Sequence, residues 1–305
     1  MVTRAGLGRI SSNIPPAALN TTKRVNINIL RCTRLTMPHS IELQGVTKTF
    51  GKKVAVDGLD LAVPEGSIYG FIGPNGSGKT TTLRLILRIF QPDSGKVIVL
   101  ENDRGNVADS RLGYLPEERG LYKRMKVANL ITYFARLKGY YNCRQEVFDW
   151  IERLNVTSWA NQKVETLSKG VAQKIQFIVA VIARPEIVIL DEPFAGLDPV
   201  NLETVKEAVL SLREAGTTVI FSTHDMSIAE RMCDTIFMIF EGRKVLDGPL
   251  STIQNEYPAN RVKIRLANGA KLPNDLPGVA SHDFDEGFLS YGLKATANHR
   301  SSYND

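Results

Sequence analysis

A chain of 305 residues with 43% hydrophobic and 23% charged residues has the makeup of a globular protein with a sizeable core, which excludes disordered, collagen-like and disulfide-stapled classes. Its cysteines, Cys32, Cys143 and Cys233, lie far apart and offer neither a metal-ligand spacing nor a disulfide framework, so a reducing cytosol is the default setting. The net charge of +6 is local: six of the 38 basic residues fall in residues 1–36, which hold no acid, so the rest of the chain balances 32 against 32 and does not read as a body built for nucleic-acid phosphates.

Residues 1–36, rich in Ser, Thr, Asn and Arg with Pro15 beside Pro16, read as a basic N-terminal extension. A disordered tail, or a stretch upstream of a working start at Met37, is the first reading; an acid-free transit peptide and a functional basic arm are the others. The sequence has no 18-residue apolar run, so the chain is not expected to span a membrane by itself. From Ile41 strands and helices alternate. Ile41–Val46 has the period of a half-buried strand, and Ser67–Ile72 is a short apolar strand. A Gly-rich turn and a helix over Thr80–Ile89 follow, then a strand at Lys96–Leu100. Residues 123–183 carry mostly helical periodicity, with Trp150, Ile151 and Leu154 on one face. Ile187–Leu190, Thr218–Phe221 and Ile236–Ile239 are strands. The layout is α/β with a helical insertion in the middle. After Pro258, Val262, Ile264 and Leu266 alternate with basic residues as one strand of a small appended unit, whose last 15 residues are polar and expected to fray.

Gly73-Pro74-Asn75-Gly76-Ser77-Gly78-Lys79-Thr80 matches the phosphate-loop pattern, with a strand before it and a helix-forming run after it. Glycines let backbone N–H groups turn inward around a polyphosphate, and the helix start adds its partial positive charge. Lys79 would reach the β- and γ-phosphates and the Thr80 hydroxyl would ligate Mg²⁺. Ile187–Leu190 runs into Asp191 and Glu192. Alone this would read as a solvated acidic pair after a core strand. Beside a phosphate loop, Asp191 is expected to support Mg²⁺ and Glu192 to polarise the attacking water.

Further motifs follow in order. Leu167-Ser168-Lys169-Gly170 begins its turn 88 residues after Thr80, Gly196-Leu197-Asp198-Pro199 follows the carboxylates, and Ser222-Thr223-His224-Asp225 ends the next strand. This series resembles the ATP-binding subunits of ABC transporters over roughly residues 41–255. The resemblance implies a P-loop NTPase core of the ABC-ATPase type, spanning 41–257, with a helical subdomain insertion at about 122–166 and an antiparallel β subdomain. Residues 258–305 would then be the truncated start of a small C-terminal accessory domain.

The resemblance also implies the chemistry. ATP and Mg²⁺ are the expected ligands, held by Gly73 to Thr80 with Thr81. A head-to-tail dimer, of identical or different subunits, would sandwich two ATP molecules, each between one phosphate loop and the Ser168–Gly170 turn of the other subunit. Asp198 would bridge the subunits, and His224 would contact the γ-phosphate and keep Glu192 in line. Phe50 stands 23 residues before Gly73, where the family commonly stacks an aromatic on adenine; a core Phe closing the first hairpin is the alternative. The partner would be a separate transmembrane permease, reached through an aromatic-rich insertion surface (Tyr122, Met125, Leu130, Tyr133, Phe134, Tyr140, Tyr141), which places the chain at the cytoplasmic face of the membrane. No nucleic-acid partner is expected, and a soluble ABC ATPase acting on nucleic acid or ribosomes is the alternative function. Three positions depart from the family pattern, one of them Val171, where Gln is commoner. Glu117 stands where Gln is usual at the Mg²⁺ and lytic water, and Lys169 stands where Gly is commoner. The stretch Leu115–Tyr122, with Leu167–Gly170, most resembles subunits of the sodium-extruding and related ABC-2-type exporters.

Overall fold

The computed structural model describes residues 39–102, 110–118, 120–256, 261–264, 279–285 and 288–293. The chain divides into two units, Met1–Thr36 and Met37–Asp305; the readings for residues 1–36 lie outside the described residues. In chain order the second unit contains β1 (His39–Phe50), β2 (Lys53–Pro64), β3 (Ile68–Ile72), α1 (Lys79–Ile86), β4 (Ser94–Val99), β5 (Leu112–Leu115), α2 (Val127–Leu137) and α3 (Arg144–Arg153). There follow α4 (Lys169–Val181), β6 (Ile187–Leu190), α5 (Pro199–Glu214), β7 (Thr218–Thr223), α6 (Met226–Met232), β8 (Thr235–Phe240), β9 (Arg243–Pro249) and α7 (Leu250–Glu256). The C-terminal region holds β10 (Arg261–Ile264), β11 (Val279–Asp285) and β12 (Phe288–Leu293).

The core is a six-stranded sheet in the order β5-β6-β7-β3-β8-β9. Every neighbouring pair is parallel except β8 with β9. A parallel sheet is covered on both faces, so its strands are apolar at every position and do not alternate. Ile187-Val188-Ile189-Leu190 is the clearest case. Val188 and Leu190 pack with Val219, Phe221 and residues of the helices α2 to α6, whereas Ile187 and Ile189 pack with Ile220, Phe237 and residues of β1, β2 and α1. The antiparallel sheet β2-β1-β4 together with α1 thus covers one face, and helices α2 to α6 cover the other. Helices α2 and α3 and two 3₁₀ turns, Thr157–Trp159 and Val164–Thr166, make up the segment between β5 and α4. Trp150, Ile151 and Leu154 are all buried there, as their shared face requires.

Several boundaries differ from the sequence expectation. Helix α1 stops at Ile86, not Ile89, because Arg88 takes a left-handed φ of 58°. The Ile89 N–H donates to the Arg84 carbonyl and the Arg88 N–H to that of Leu85, a Schellman end with arginine at the position glycine usually fills. Helix α4 begins at Lys169 and ends at Val181, its start set by the Ser168 hydroxyl, which caps it by accepting from the Val171 N–H at 3.4 Å. The C-terminal region has three strands in the order β10-β12-β11, and residues 291–293 of the stretch expected to fray belong to β12. Cys143 and Cys233 are free and buried; burial, helped by Asp234, pushes the Cys233 thiol up to about 12.

Gly113 of β5 shows how tightly α4 packs on the sheet. A Cβ there would lie 2.3 Å from the Ala180 carbonyl oxygen and 3.0 Å from Pro185 Cγ, whereas one at Gly120 would meet nothing within 4 Å. Gly113→Ala should therefore cost about 1–3 kcal/mol, the usual range for overpacking. Gly120→Ala should leave the unfolding temperature within error. Thermal melts that rank the two the other way would contradict this packing.

Candidate functional site

Strand β3 is buried along its length and delivers Gly73 to the edge of the sheet. The loop from Gly73 then closes against β8 and β2. A Cβ on Gly73 would sit 2.3 Å from the Ile239 carbonyl oxygen, and one on Gly78 would sit 2.6 Å from that of Ala55. Gly78 also holds a φ of 113° and caps α1 without a side chain, so the first-turn N–H groups of α1 have no side-chain cap. Lys79, 6% exposed, donates from Nζ to the carbonyls of Gly73 at 2.6 Å and Pro74 at 3.2 Å. Among the described residues these two carbonyl dipoles are the hydrogen-bond acceptors of the buried cation, an arrangement that an entering anion improves.

The carboxylates arrive from β6. Asp191 is 1% exposed. Its Oδ1 accepts from the Ser222 hydroxyl at 2.6 Å, and its Oδ2 is buried with no hydrogen-bond partner among the described residues. Glu192 sits at a left-handed φ of 50°, a strained conformation for a non-glycine residue and one concentrated at functional sites. Its N–H donates to the same Ser222 oxygen at 2.8 Å, and its Oε1 lies 3.1 Å from His224 Nδ1. Ser222 in β7 therefore fixes both acids, a role that sequence reasoning missed. The available signal was a small polar residue closing the apolar run Val219 to Phe221. His224 projects beyond the strand just before Asp225, which caps α6; hydrogen bonds from Ser227 hold the Asp225 carboxyl below the usual range.

These parts converge on a cavity of about 420 Å³. Its walls include Phe50, Asn75, Gly76, Gly78, Lys79, Thr80, Thr81, Glu117, Asp191 and Glu192. Gly73, Pro74 and Ser77 are the remaining turns of the same loop, and Pro74 and Ser77 border an adjoining cleft. Lys53 lines both spaces and was not anticipated from the sequence. Phe50 does stand at the β1–β2 hairpin end, paired with Lys53, but it is 43% exposed and not a core residue. Its ring meets Phe90 edge-on at 5.3 Å with Lys48 Nζ 5.8 Å from its centroid. Glu117 is placed by Gln176 of α4, whose Nε2 donates to the carbonyls of Pro116 at 3.3 Å and Glu118 at 3.4 Å.

Ser168, Gly170 and Asp198 are not brought to this cavity. They gather in a second cluster, where a Cβ on Gly170 would approach Asn201 Nδ2 at 3.6 Å and one on Gly196 would approach Lys169 Nζ at 3.1 Å. Asp198 caps α5 by accepting from the Asn201 N–H at 3.0 Å and from its side chain; these bonds hold its carboxyl below the usual range. A larger cleft of about 570 Å³, lined by Ser40, Glu146, Trp150 and Arg184 among others, contains none of the expected residues.

Two tests follow from this geometry. Ser222→Ala would leave Asp191, a buried carboxylate, without its hydroxyl donor and Glu192 N–H without its acceptor, and should cost about 1–3 kcal/mol in urea unfolding; an unchanged midpoint would remove Ser222 from the account. Asp93 accepts from Lys48 Nζ at 2.7 Å, Thr49 N at 2.7 Å and Thr49 Oγ1 at 2.6 Å, so it steadies the backbone next to Phe50. Hydrogen bonds from Lys48 and Thr49 lower its pKa from 3.8 to about 2. The resulting stabilisation is present above the unfolded value and is lost as pH falls through that window. Asp93→Asn should lower the urea midpoint at pH 7, and the difference from wild type should shrink as pH falls from 4 toward 2. A difference that does not change with pH would refute the charge-based explanation.

The sequence profile described as ABC transporter matches residues 56–195. An uncharacterised ABC transporter ATP-binding protein of Bacillus subtilis (strain 168), YhaQ, is 44% identical over 253 residues, 82% of each chain. The Nod factor export ATP-binding protein I of Burkholderia orbicola is 34% identical over 248 residues, 79% of this chain and 82% of its own. Among solved structures, a dimeric post-hydrolysis ATP-binding cassette bound to ADP and phosphate aligns with a TM-score of 0.63 at 24% identity, over 69% of this chain and 98% of its own, and so shares the fold. By these similarities the chain belongs to the ABC transporter ATP-binding proteins and is an ATPase of that family.

Proposed function

We propose that this protein is the ATP-hydrolysing subunit of an exporter and that it works as a head-to-tail dimer on a separate transmembrane permease. The observation that carries the reading is the convergence of Lys79, Asp191 and Glu192 on one cavity, with His224 bonded to Glu192. Phe50, exposed at the cavity rim, offers a face for the base, worth about 1–3 kcal/mol by analogy with stacking in nucleic-acid complexes. Lys79 exchanges its contacts with Gly73 and Pro74 for phosphate oxygens. Glu192 orients a water for in-line attack on the γ-phosphorus and accepts its proton, while His224 holds the carboxylate in place.

The residues also fit Mg²⁺. The buried, unpartnered Asp191 Oδ2 is a hard anionic oxygen at the cavity, and Thr80 and Glu117 line the same space. Together they would hold the ion, which when bound supplies charge neutralisation on the phosphates. Ser168 and Gly170, standing apart from the cavity at the start of α4, are suited to the γ-phosphate of a second subunit's nucleotide. Asp198 would act in this dimer by shaping the turn beside them.

Among the described residues no helix is long and apolar enough to cross a membrane, which agrees with peripheral attachment at the cytoplasmic face through the permease. The insertion offers an aromatic surface for that contact. Tyr122 stacks near Phe134 with centroids 5.9 Å apart, Tyr133 meets both edge-on, and Tyr122, Tyr133 and Tyr141 are exposed. Leu130 is fully buried and is one of the insertion residues that the core claims, since a helix buries one stripe in any case. The kinship with a Nod factor export protein supports the export direction.

Glu192→Gln should keep Mg²⁺-ATP binding, slow hydrolysis by about 10²-fold or more and accumulate a dimer on size-exclusion chromatography with Mg²⁺-ATP. Turnover near wild type would remove Glu192 from the reaction. A strictly monomeric variant with ATP bound would contradict the sandwich.

A further inference from the structure

We propose that Glu117 makes nucleotide binding conditional on a divalent cation, so that the site admits ATP as its metal complex and rejects the free triphosphate. The inference rests on the nucleotide reading of the cavity. Glu117, Asp191 and Glu192 line that one space, against Lys79 and Lys53. Asp191 is 1% exposed and carries an oxygen with no partner. A free triphosphate brings several more negative charges to a space where carboxylates outnumber ammonium groups. Repulsion between like charges in a partly desolvated cleft is weakly screened.

A divalent ion reverses the sign of the Glu117 contribution. Mg²⁺ is held through one or two carboxylates together with substrate phosphates, and Asp191 supplies one of these carboxylates. Glu117 supplies a second charge on the loop that leaves the neighbouring strand β5, at a position that Gln176 fixes through the carbonyls on either side of it. Among the described residues, no three acidic, histidine or cysteine side chains stand close enough to trap an ion alone. The cation is therefore held well only with the phosphates, and the phosphates only with the cation. Linkage makes the two effects equal: the factor by which metal tightens nucleotide is the factor by which nucleotide tightens metal. A neutral glutamine of the same shape would weaken both.

The test titrates the full chain with a fluorescent ATP analogue in excess Mg²⁺ and, separately, in EDTA, under conditions where hydrolysis is negligible. The readout is the ratio of the two dissociation constants. Wild type should bind at least a hundredfold more tightly with Mg²⁺. In Glu117→Gln that ratio should shrink at least tenfold, with tighter binding in EDTA providing part of the change. Glu118→Gln, which removes a neighbouring charge that does not line the cavity, should leave the ratio unaltered, and equal melting temperatures for the three proteins would confirm that each is folded. A Glu117→Gln ratio equal to wild type, or an equal shrinkage in Glu118→Gln, would overturn the inference alone. A wild-type chain that fails to bind the analogue even with Mg²⁺ would overturn the nucleotide reading and the inference together.

Discussion

The site depends on the in-register parallel pairing of β6, β7 and β3. Leu190 stands opposite Phe221, and Phe71 and Ile72 stand opposite Ser222 and Thr223. Three strands that end at the same edge release three chemically different loops side by side: the phosphate loop from β3, the acidic pair from β6 and the histidine from β7. Burial on both faces enforces the register, because a slip of one residue would exchange the two apolar faces of each strand. Ser222 converts this register into a fixed position for the acids. Its single oxygen donates to Asp191 and accepts from the Glu192 N–H, which helps to hold Glu192 in its left-handed conformation. Residues of that kind persist only where the surroundings over-determine them.

Helix α4 plays the complementary part on the helical face. Its first turn is capped by Ser168. Further along, Gln173 donates to the Pro193 carbonyl at 3.3 Å, buried Lys174 to the Leu154 carbonyl at 2.8 Å, and Gln176 to the carbonyls flanking Glu117. Burial lowers the Lys174 pKa, a cost accepted for an anchor at the end of α3. One helix thus holds the turn expected to face a second subunit, the loop after the acids, the insertion and the Glu117 loop. An element with that set of bonds can move these loops together, which is what coupling nucleotide chemistry to a membrane partner requires.

Much of this was legible in the sequence, for physical reasons that differ from element to element. Ile187–Leu190 could be delimited because a strand buried on both faces is apolar throughout. The phosphate loop could be placed because its glycines meet real steric walls at Ile239 and Ala55. The end of α1 was missed because Arg88 adopts a conformation that glycine would have signalled. The start of α5 was spelled out by Asp198 and Pro199, a capping residue and a proline in the first turn, yet its strength as a helix signal was overshadowed by its role as a motif. Strands β2, β5 and β9 escaped because their residues are half exposed, very short, or at the sheet edge. Ser222, Gln176 and Lys53 could not be found by pattern alone. Their roles depend on which carbonyl or carboxylate the fold brings within reach across tens of residues.

The central claim is that one strand-end edge, and not the larger cleft beside Trp150, is where nucleotide is held. Amide hydrogen exchange on the full chain with and without Mg²⁺-ATP tests it directly, because protection reports which backbone N–H groups acquire partners. The account predicts slowed exchange within Gly76 to Thr81, with no change at Trp150 or Thr217. Protection confined to the Trp150 cleft, or absent from the Gly76–Thr81 loop at saturating nucleotide, would contradict it.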